Sequence, residues 1–534
     1  MKKLPIGMQT FKDIVTGNYV YVDKTRYVYD LLTSKKYYFL SRPRRFGKSL
    51  LLDTIAEAFG GDKELFKGLW IYDSGYAFPK HPVIRLDMSN IPNETAQILK
   101  YNLMDECRHI AKKENVDING DEPSVLFKRL IENMMLKYDR SVVVLIDEYD
   151  KPILDHITDL EVVDDIRTAL RDFYGILKSM DPHLRFTFIT GVTKFTKTSI
   201  FSGLNNLSDI SLMEKYANIC GIPVDSLDVY FGEYMESLST HKRFVQYENI
   251  HDEILRWYDG YSWDGETKVI NPFSLLNFFD QERFSAFWYA TGTPRFLLDL
   301  IKKQPASYVN LRNVAVSETM LDSVEPDKIT LEPLLFQTGY LTVRDIPMTT
   351  DEPAYILDLP NFEVRNAFNV HVMAALADQD DVRTGQMRMG IRDALVSGDL
   401  PKMLDILRGF FASIPYNLHV DLEAYYHSLF YALLSALGFE MALEVSTSKG
   451  RSDATLALAD KVYVMEFKYR KCPKNASAER KRKLFDEALD EAMAQIHDRG
   501  YSAKYQGGGK TIYEAAFAFL GRGEIEMRVE ETRD

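Results

Sequence analysis

Gly47-Lys48-Ser49 stands at the head of an apolar stretch, Leu50 to Phe59, and close behind the apolar run Tyr37 to Leu40. A strand that enters a helix through such a turn points backbone N–H groups at an anion, as a nucleotide loop does. Arg45, Phe46, Gly47, Lys48, Ser49 and Leu50 are the candidate phosphate contacts, with Lys48 reaching the β and γ oxygens of ATP and the Ser49 hydroxyl ligating Mg²⁺. The loop departs from GxxxxGK[ST], because Arg42 occupies the position of the first glycine. An ordinary strand-to-helix turn is the plain alternative.

A second apolar run, Val142 to Ile146, ends in Asp147 and Glu148. At the carboxyl end of a parallel strand, Asp147 would hold Mg²⁺ through water and Glu148 would polarise the water that attacks the γ-phosphate. Solvated acids at a strand tip are the alternative. A further run, Arg185 to Ile189, ends in Thr190-Gly191-Val192-Thr193. Were this strand inserted between the other two, Thr190 or Thr193 could sense the γ-phosphate; either hydroxyl could equally cap the next turn.

Far downstream lies a different set of groups, Gly450-Arg451-Ser452-Asp453 followed by Val464-Met465-Glu466-Phe467-Lys468. Glu466 and Lys468 are two apart in one strand and so share a face. A tight turn near Ala459-Asp460 would bring Asp453 across the hairpin to Glu466, giving two carboxylates for Mg²⁺ with an amine beside them. Metal-activated water attacking a phosphodiester needs these parts, with Lys468 positioning the water or steadying the developing charge. An edge hairpin with a surface Glu/Lys pair is the alternative.

The elements that must position these groups follow from the pattern. Short apolar runs at Tyr37 to Leu40, Val83 to Leu86, Val142 to Ile146 and Phe186 to Ile189 alternate with helical periodicity, the rhythm of a parallel α/β sheet. From Val229 to Phe336 the pattern is mainly helical, with Trp257, Tyr258, Tyr261, Trp263, Trp288 and Tyr289 clustered in it. Gly339 to Arg344 and Tyr355 to Leu359 form a hairpin, either wing-like or for packing. The end of the chain reads as αβββαβ: helix 421–437, strands 440–445, 452–458 and 461–469, helix 481–498 and strand 513–520.

The chain has 534 residues and a formal net charge of -13, so nucleic-acid contact would have to come from a local basic surface. Lys461, Lys468, Arg470, Lys471, Lys474 and Arg480 to Lys483 supply a candidate, although such runs are also ordinary solvated faces. Three cysteines without metal spacing, Cys107, Cys220 and Cys472, suit a reducing compartment. Met1 to Phe11 holds no apolar stretch, and no run approaches the roughly 20 residues that span a bilayer. A cytoplasmic protein without membrane contact is expected.

Tyr21-Val22-Asp23-Lys24-Thr25, Arg42-Pro43-Arg44-Arg45-Phe46-Gly47-Lys48-Ser49-Leu50 and Ile146-Asp147-Glu148-Tyr149-Asp150 resemble the bacterial AAA-ATPase-like proteins with a C-terminal PD-(D/E)XK nuclease domain. Trp257 to Tyr261, Asn271 to Ser274, Thr291 to Pro294 and Pro360 to Arg365 extend that resemblance over nearly the whole chain. The family as a group lacks the first loop glycine, so Arg42 belongs to the pattern. Pattern and resemblance together give a P-loop domain over 1–228, a helical lid over 229–400 whose hairpin is either a winged helix's wing or plain packing, and a restriction-endonuclease-like domain over 401–534. The resemblance also points to Glu423 as a further acidic group and to Gln495, with Tyr501 beyond it, as the glutamine of exonuclease-type members. Either could be a plain helix-surface residue. Arg295 could reach the γ-phosphate from the lid or simply start a helix.

The expected function is an ATP-binding and ATP-hydrolysing protein coupled to a Mg²⁺-dependent nuclease, with DNA favoured over RNA. A nucleotide-dependent switch with a non-cleaving nuclease fold is the alternative. Oligomeric state is open, a homo-oligomer included.

Overall fold

A computed structural model of the chain describes residues 1–194, 200–201, 204, 206–292, 311, 313–321, 330–347, 353–377, 381–414, 426, 429–430, 433–434, 437, 441–447, 450–473, 475–521 and 523–532. They fall into two compact units. One comprises Met1–Gly292 and Asn313–Glu363; the other is built mainly from Val364–Asp534.

The first unit is organised by a five-stranded parallel sheet of β1 (Tyr37–Ser41), β2 (Val83–Asp87), β3 (Val142–Asp147), β4 (Leu184–Gly191) and β5 (Ser208–Asp209), in the order β2-β3-β4-β1-β5. Every residue of β1 and β3 is buried, which explains why both read as unbroken apolar runs: helices cover both faces. β4 lies between β1 and β3, so the strand carrying Thr190 is inserted between those leading to the loop and to Asp147. The two-residue β5 is too short to leave a periodic signal.

Residues 226–292 are mainly helical, as the pattern indicates. Helices Ser226–Ser239, Ile250–Tyr258 and Pro272–Gln281 bury Phe231, Ile254, Tyr258, Leu275 and Phe278 in one cluster. Asn271 caps the last of these by accepting the Ser274 N–H at 3.0 Å, and Pro272 fills the first turn, where its missing N–H costs nothing. β6 (Ile222–Pro223) and β7 (Val269–Ile270) form a short antiparallel pair beside them. The expected hairpin forms as β9 (Thr342–Asp345) and β10 (Ala354–Asp358), with β8 (Val314–Ser317) adding a third antiparallel strand that periodicity does not mark.

The second unit holds β11 (Met441–Thr447), β12 (Gly450–Ala457), β13 (Lys461–Arg470), β14 (Thr511–Leu520) and β15 (Glu524–Thr532) in sequential order. All neighbours are antiparallel except β13 and β14, which are parallel and joined through helix Ala478–Arg499. That helix packs Phe485, Ala488, Ala492, Met493 and Ile496 on Val462, Val464, Ala516 and Ala518. On the other face Phe430 meets Phe467 and Phe517, each at 4.8 Å between ring centroids. Of the helix expected over 421–437, the described Tyr426, Leu429, Phe430, Leu433 and Leu434 are helical and buried. β15 is the element the pattern missed. Its apolar residues Ile525, Met527 and Val529 alternate with charged ones, as on an edge strand with one wet face. Among the described residues no helix is long and apolar enough to cross a membrane.

Candidate active sites

β1 delivers the chain to the phosphate loop, where Gly47 has φ 94°. A Cβ there would meet nothing within 4 Å, so the left-handed backbone, and not crowding, calls for glycine. Helix Lys48–Gly60 starts at once, and no side chain caps it, which leaves its first N–H groups to an anion. The buried Lys48 donates from Nζ to the carbonyls of Arg42 at 2.9 Å and Pro43 at 3.0 Å. The ammonium is thus held inside the curve of the loop. A cavity of about 380 Å³ opens over this turn, bounded by Arg44, Arg45, Gly47, Lys48, Ser49, Leu50 and Glu148 together with Pro5–Gln9 and Phe273.

Arg42 points away from that cavity. Fully buried, it donates to the carbonyls of Ser41 at 2.9 Å, Ser211 at 2.7 Å and Tyr216 at 3.2 Å, and its guanidinium lies 3.9 Å from the ring centre of Trp263. Burial lowers its pKa to about 10. Where the usual loop relies on a flexible glycine, this one is held by an arginine strut. Phe46 is clasped by Tyr261 and Trp263, at 4.7 and 5.6 Å, and the Trp288 indole donates to the Arg44 carbonyl at 2.9 Å.

At the end of β3, Asp147 accepts the Thr190 hydroxyl and the Glu148 N–H, the latter at 3.1 Å. Thr190 is fully buried in this contact and does not border the cavity. The Thr193 hydroxyl bonds Asp150 at 2.6 Å. Asp150, which local pattern gives no role, also collects the N–H groups of Val192 and Thr193, at 3.0 and 2.6 Å, and so ties the end of β4 to the end of β3. Glu148 takes φ 51°, a left-handed conformation rare outside glycine. Its carboxyl borders the cavity, and its pKa is raised by burial against the opposing pull of Lys48, with Asp147 and Asp150 adding to the rise.

In the second unit, the β12–β13 register places Asp453 one step beyond the Ala454–Met465 pair, opposite Glu466. Glu466 is fully buried. Its Oε1 accepts the Lys468 ammonium at 3.2 Å and its Oε2 the Asp453 N–H at 3.4 Å, while the Asp453 carboxylate accepts the Phe467 N–H at 2.9 Å. Burial, and then the Asp453 charge, push the Glu466 carboxyl up to about 7 against the pull of Lys468. Two carboxylates on adjacent strands, one buried and one half-exposed, form a hard oxygen donor set of the kind that suits Mg²⁺. Gln495 donates to the Tyr501 hydroxyl at 3.3 Å, so these two meet each other. Glu423 and Arg295 lie outside the described residues.

Residues 5–201 match the AAA-ATPase-like family, described as predicted AAA-ATPases, and residues 421–528 match the PD-(D/E)XK nuclease superfamily. Over 521 residues the chain is 38% identical to the uncharacterized protein in the vnfD 5' region of Azotobacter chroococcum mcd 1, an alignment that covers 96% of this chain and 95% of that protein. The chain belongs to the AAA-ATPase-like proteins that carry a PD-(D/E)XK nuclease domain.

For this AAA-ATPase-like protein the remaining shared motifs have structural work to do around the loop. Gly260 has φ 113° and passes so close to Pro360 that a Cβ would sit 2.1 Å from its carbonyl oxygen. Trp257 packs edge-on against Phe362 at 4.6 Å, and Glu363 accepts the Trp288 N–H at 2.7 Å. The segments 257–263 and 360–363 thereby meet each other, and the first of them clasps the loop. The aromatic clustering was visible in the sequence; its target was not. Beside the phosphate cavity lies an apolar pocket of about 100 Å³ lined by Tyr21, Val22, Lys24, Phe46, Cys220 and Ile222. Lys24 donates there to the Asn218 carbonyl at 2.8 Å, and burial lowers its pKa to about 8.

The basic run of the PD-(D/E)XK domain is largely neutralised by acids of its own unit. Arg470 pairs with Glu491, Lys481 with Glu524 at 2.5 Å, Arg482 with Asp486 at 3.3 Å and Lys483 with Glu487 at 3.9 Å. Exposed pairs of this kind are weak, because water screens them. Lys474 lies outside the described residues.

Proposed function

We propose that the first unit binds and hydrolyses ATP with Mg²⁺ and that the second is a Mg²⁺-dependent nuclease acting on DNA. The phosphates would lie in the cavity over Gly47 to Leu50, held by the loop N–H groups and Lys48, with the base in the adjoining apolar pocket. Ser49 and Asp147 would hold the cation, and Glu148 would orient the attacking water, its raised pKa making it a better proton acceptor than a surface carboxylate. Thr190 acts through Asp147, by fixing the carboxylate.

The observation that carries the nuclease reading is the hydrogen-bonded triad of the half-buried Asp453 with the buried Glu466 and Lys468. Asp453 and Glu466 would hold a divalent cation, which supplies an activated water when bound. Lys468, already at Glu466, is placed to steady charge developing on the phosphate oxygens. The AAA-ATPase-like unit would then regulate or load the nuclease, in a protein that works in the cytoplasm. Linear, circular and single-stranded DNA incubated with the purified chain and Mg²⁺, with and without ATP, tests this. Cleavage that needs Mg²⁺ is expected; normal ATP hydrolysis with no cleavage of any DNA or RNA would replace the nuclease by the non-cleaving switch.

A further inference from the structure

β14 and β15 pair so that Glu514 and Glu530 stand directly opposite each other. Like charges in that position repel, and Glu514 is only 9% exposed, so its charge has little water to screen it. Facing both is His497, near the C-terminal end of helix Ala478–Arg499, with its Nε2 3.1 Å from Glu514 and 3.1 Å from Glu530. One ring nitrogen carries at most one proton, so it can give a full, linear hydrogen bond to only one of the two carboxylates. A cation among the three atoms would satisfy all of them. The spacing also fits: metal bonds of about 2.0–2.1 Å in a tetrahedron put neighbouring ligand atoms roughly 3.3 Å apart. Among the described residues this is the group of three His, Cys, Asp or Glu ligands close enough to hold an ion, its donor atoms all lying within 4.8 Å of one another.

We propose that His497, Glu514 and Glu530 form a second metal site, one for a divalent transition ion and Zn²⁺ before others. An imidazole among the ligands favours Zn²⁺ or a neighbouring first-row ion over Mg²⁺, which takes oxygen ligands. It is distinct from the nuclease cluster. Glu514 pairs with Val464 on β13, whereas Glu466 pairs with Ala516, so the two sites are offset along the same sheet face. Its three ligands come from a helix and two strands that sequence separates, so the ion staples the end of helix Ala478–Arg499 to the β14–β15 hairpin. Arg528 joins the same helix to the same hairpin through Asp490.

The test uses the full chain, stripped of metal with a chelator and titrated calorimetrically with ZnCl₂, as wild type, Asp453→Asn, and Asp453→Asn combined with His497→Ala or Glu530→Gln. With the nuclease cluster disabled, one Zn²⁺ per chain should still bind and raise the melting temperature. Either added substitution should weaken that binding by more than about 100-fold, the upper end of what loss of an outer-shell partner does. Both added changes are at exposed positions; if His497→Ala misfolds, the near-isosteric Glu530→Gln decides. Zn²⁺ binding to Asp453→Asn that neither change weakens would overturn the site, as would no Zn²⁺ binding to Asp453→Asn at all.

Discussion

The phosphate loop and the β12–β13 hairpin both gather ammonium and carboxylate groups, but they are held in different ways. Around the loop, Arg42 is anchored by carbonyls at Ser211 and Tyr216 and by the ring of Trp263, and Trp288 holds the Arg44 carbonyl. In the hairpin, Asp453, Glu466 and Lys468 come from two adjacent strands and hold one another. A site built from distant struts can lose a consensus glycine and keep its shape. A site built from one hairpin depends on each of its few side chains.

The largest expected effect follows from that dependence. Asp453→Asn should lower DNA cleavage by more than ~100-fold, comparable to removing one group that stabilises a transition state, and leave ATP turnover unchanged. Plasmid digestion and phosphate release on one preparation measure both; equal loss of the two activities would break the separation between the regions. Glu148→Gln should keep ATP affinity and slow hydrolysis by about 100-fold, read by nucleotide binding and steady-state turnover. Unchanged turnover would remove Glu148 from the water-orienting role.

Arg42→Gly sharpens the contrast, because it restores the consensus and removes the strut. Hydrogen bonds from a charged donor contribute about 1.5–3 kcal/mol, so unit stability should fall by that order and ATP should bind more weakly. A glycine variant that melts like wild type and binds ATP better would show that the aromatic clasp alone shapes the loop.

The smallest effect concerns Glu363, whose carboxyl burial pushes from 4.5 up to about 7. Between those values the folded chain keeps a proton that the unfolded chain releases, so its stabilising contribution is full below pH 4.5 and is lost as pH rises through about 7. Glu363→Gln cannot titrate. Melting temperatures recorded over that range should fall more with rising pH for wild type than for the variant; parallel curves would assign the dependence to other groups.

The cluster of Asp453, Glu466 and Lys468 was legible because its groups sit at fixed short spacings. Period two puts Glu466 and Lys468 on one face, and a tight turn brings Asp453 opposite. The parallel sheet was legible for a related reason, since strands buried on both faces read as apolar runs. β15 escaped notice because an edge strand with charged alternation looks like surface. The direction of Arg42, the clasp of Tyr261 and Trp263 on Phe46 and the turn of Thr190 toward Asp147 could not be read at all.

Sequence alone therefore marked the candidate groups and the strands that carry them, because those depend on residue type and on the local periods of strand and helix. Tertiary structure decided what holds the phosphate loop and what brings His497 to Glu514 and Glu530. Such contacts join residues that are near in space and far apart along the chain. Local pattern carries no record of that proximity; only packing of the finished sheets and helices creates it.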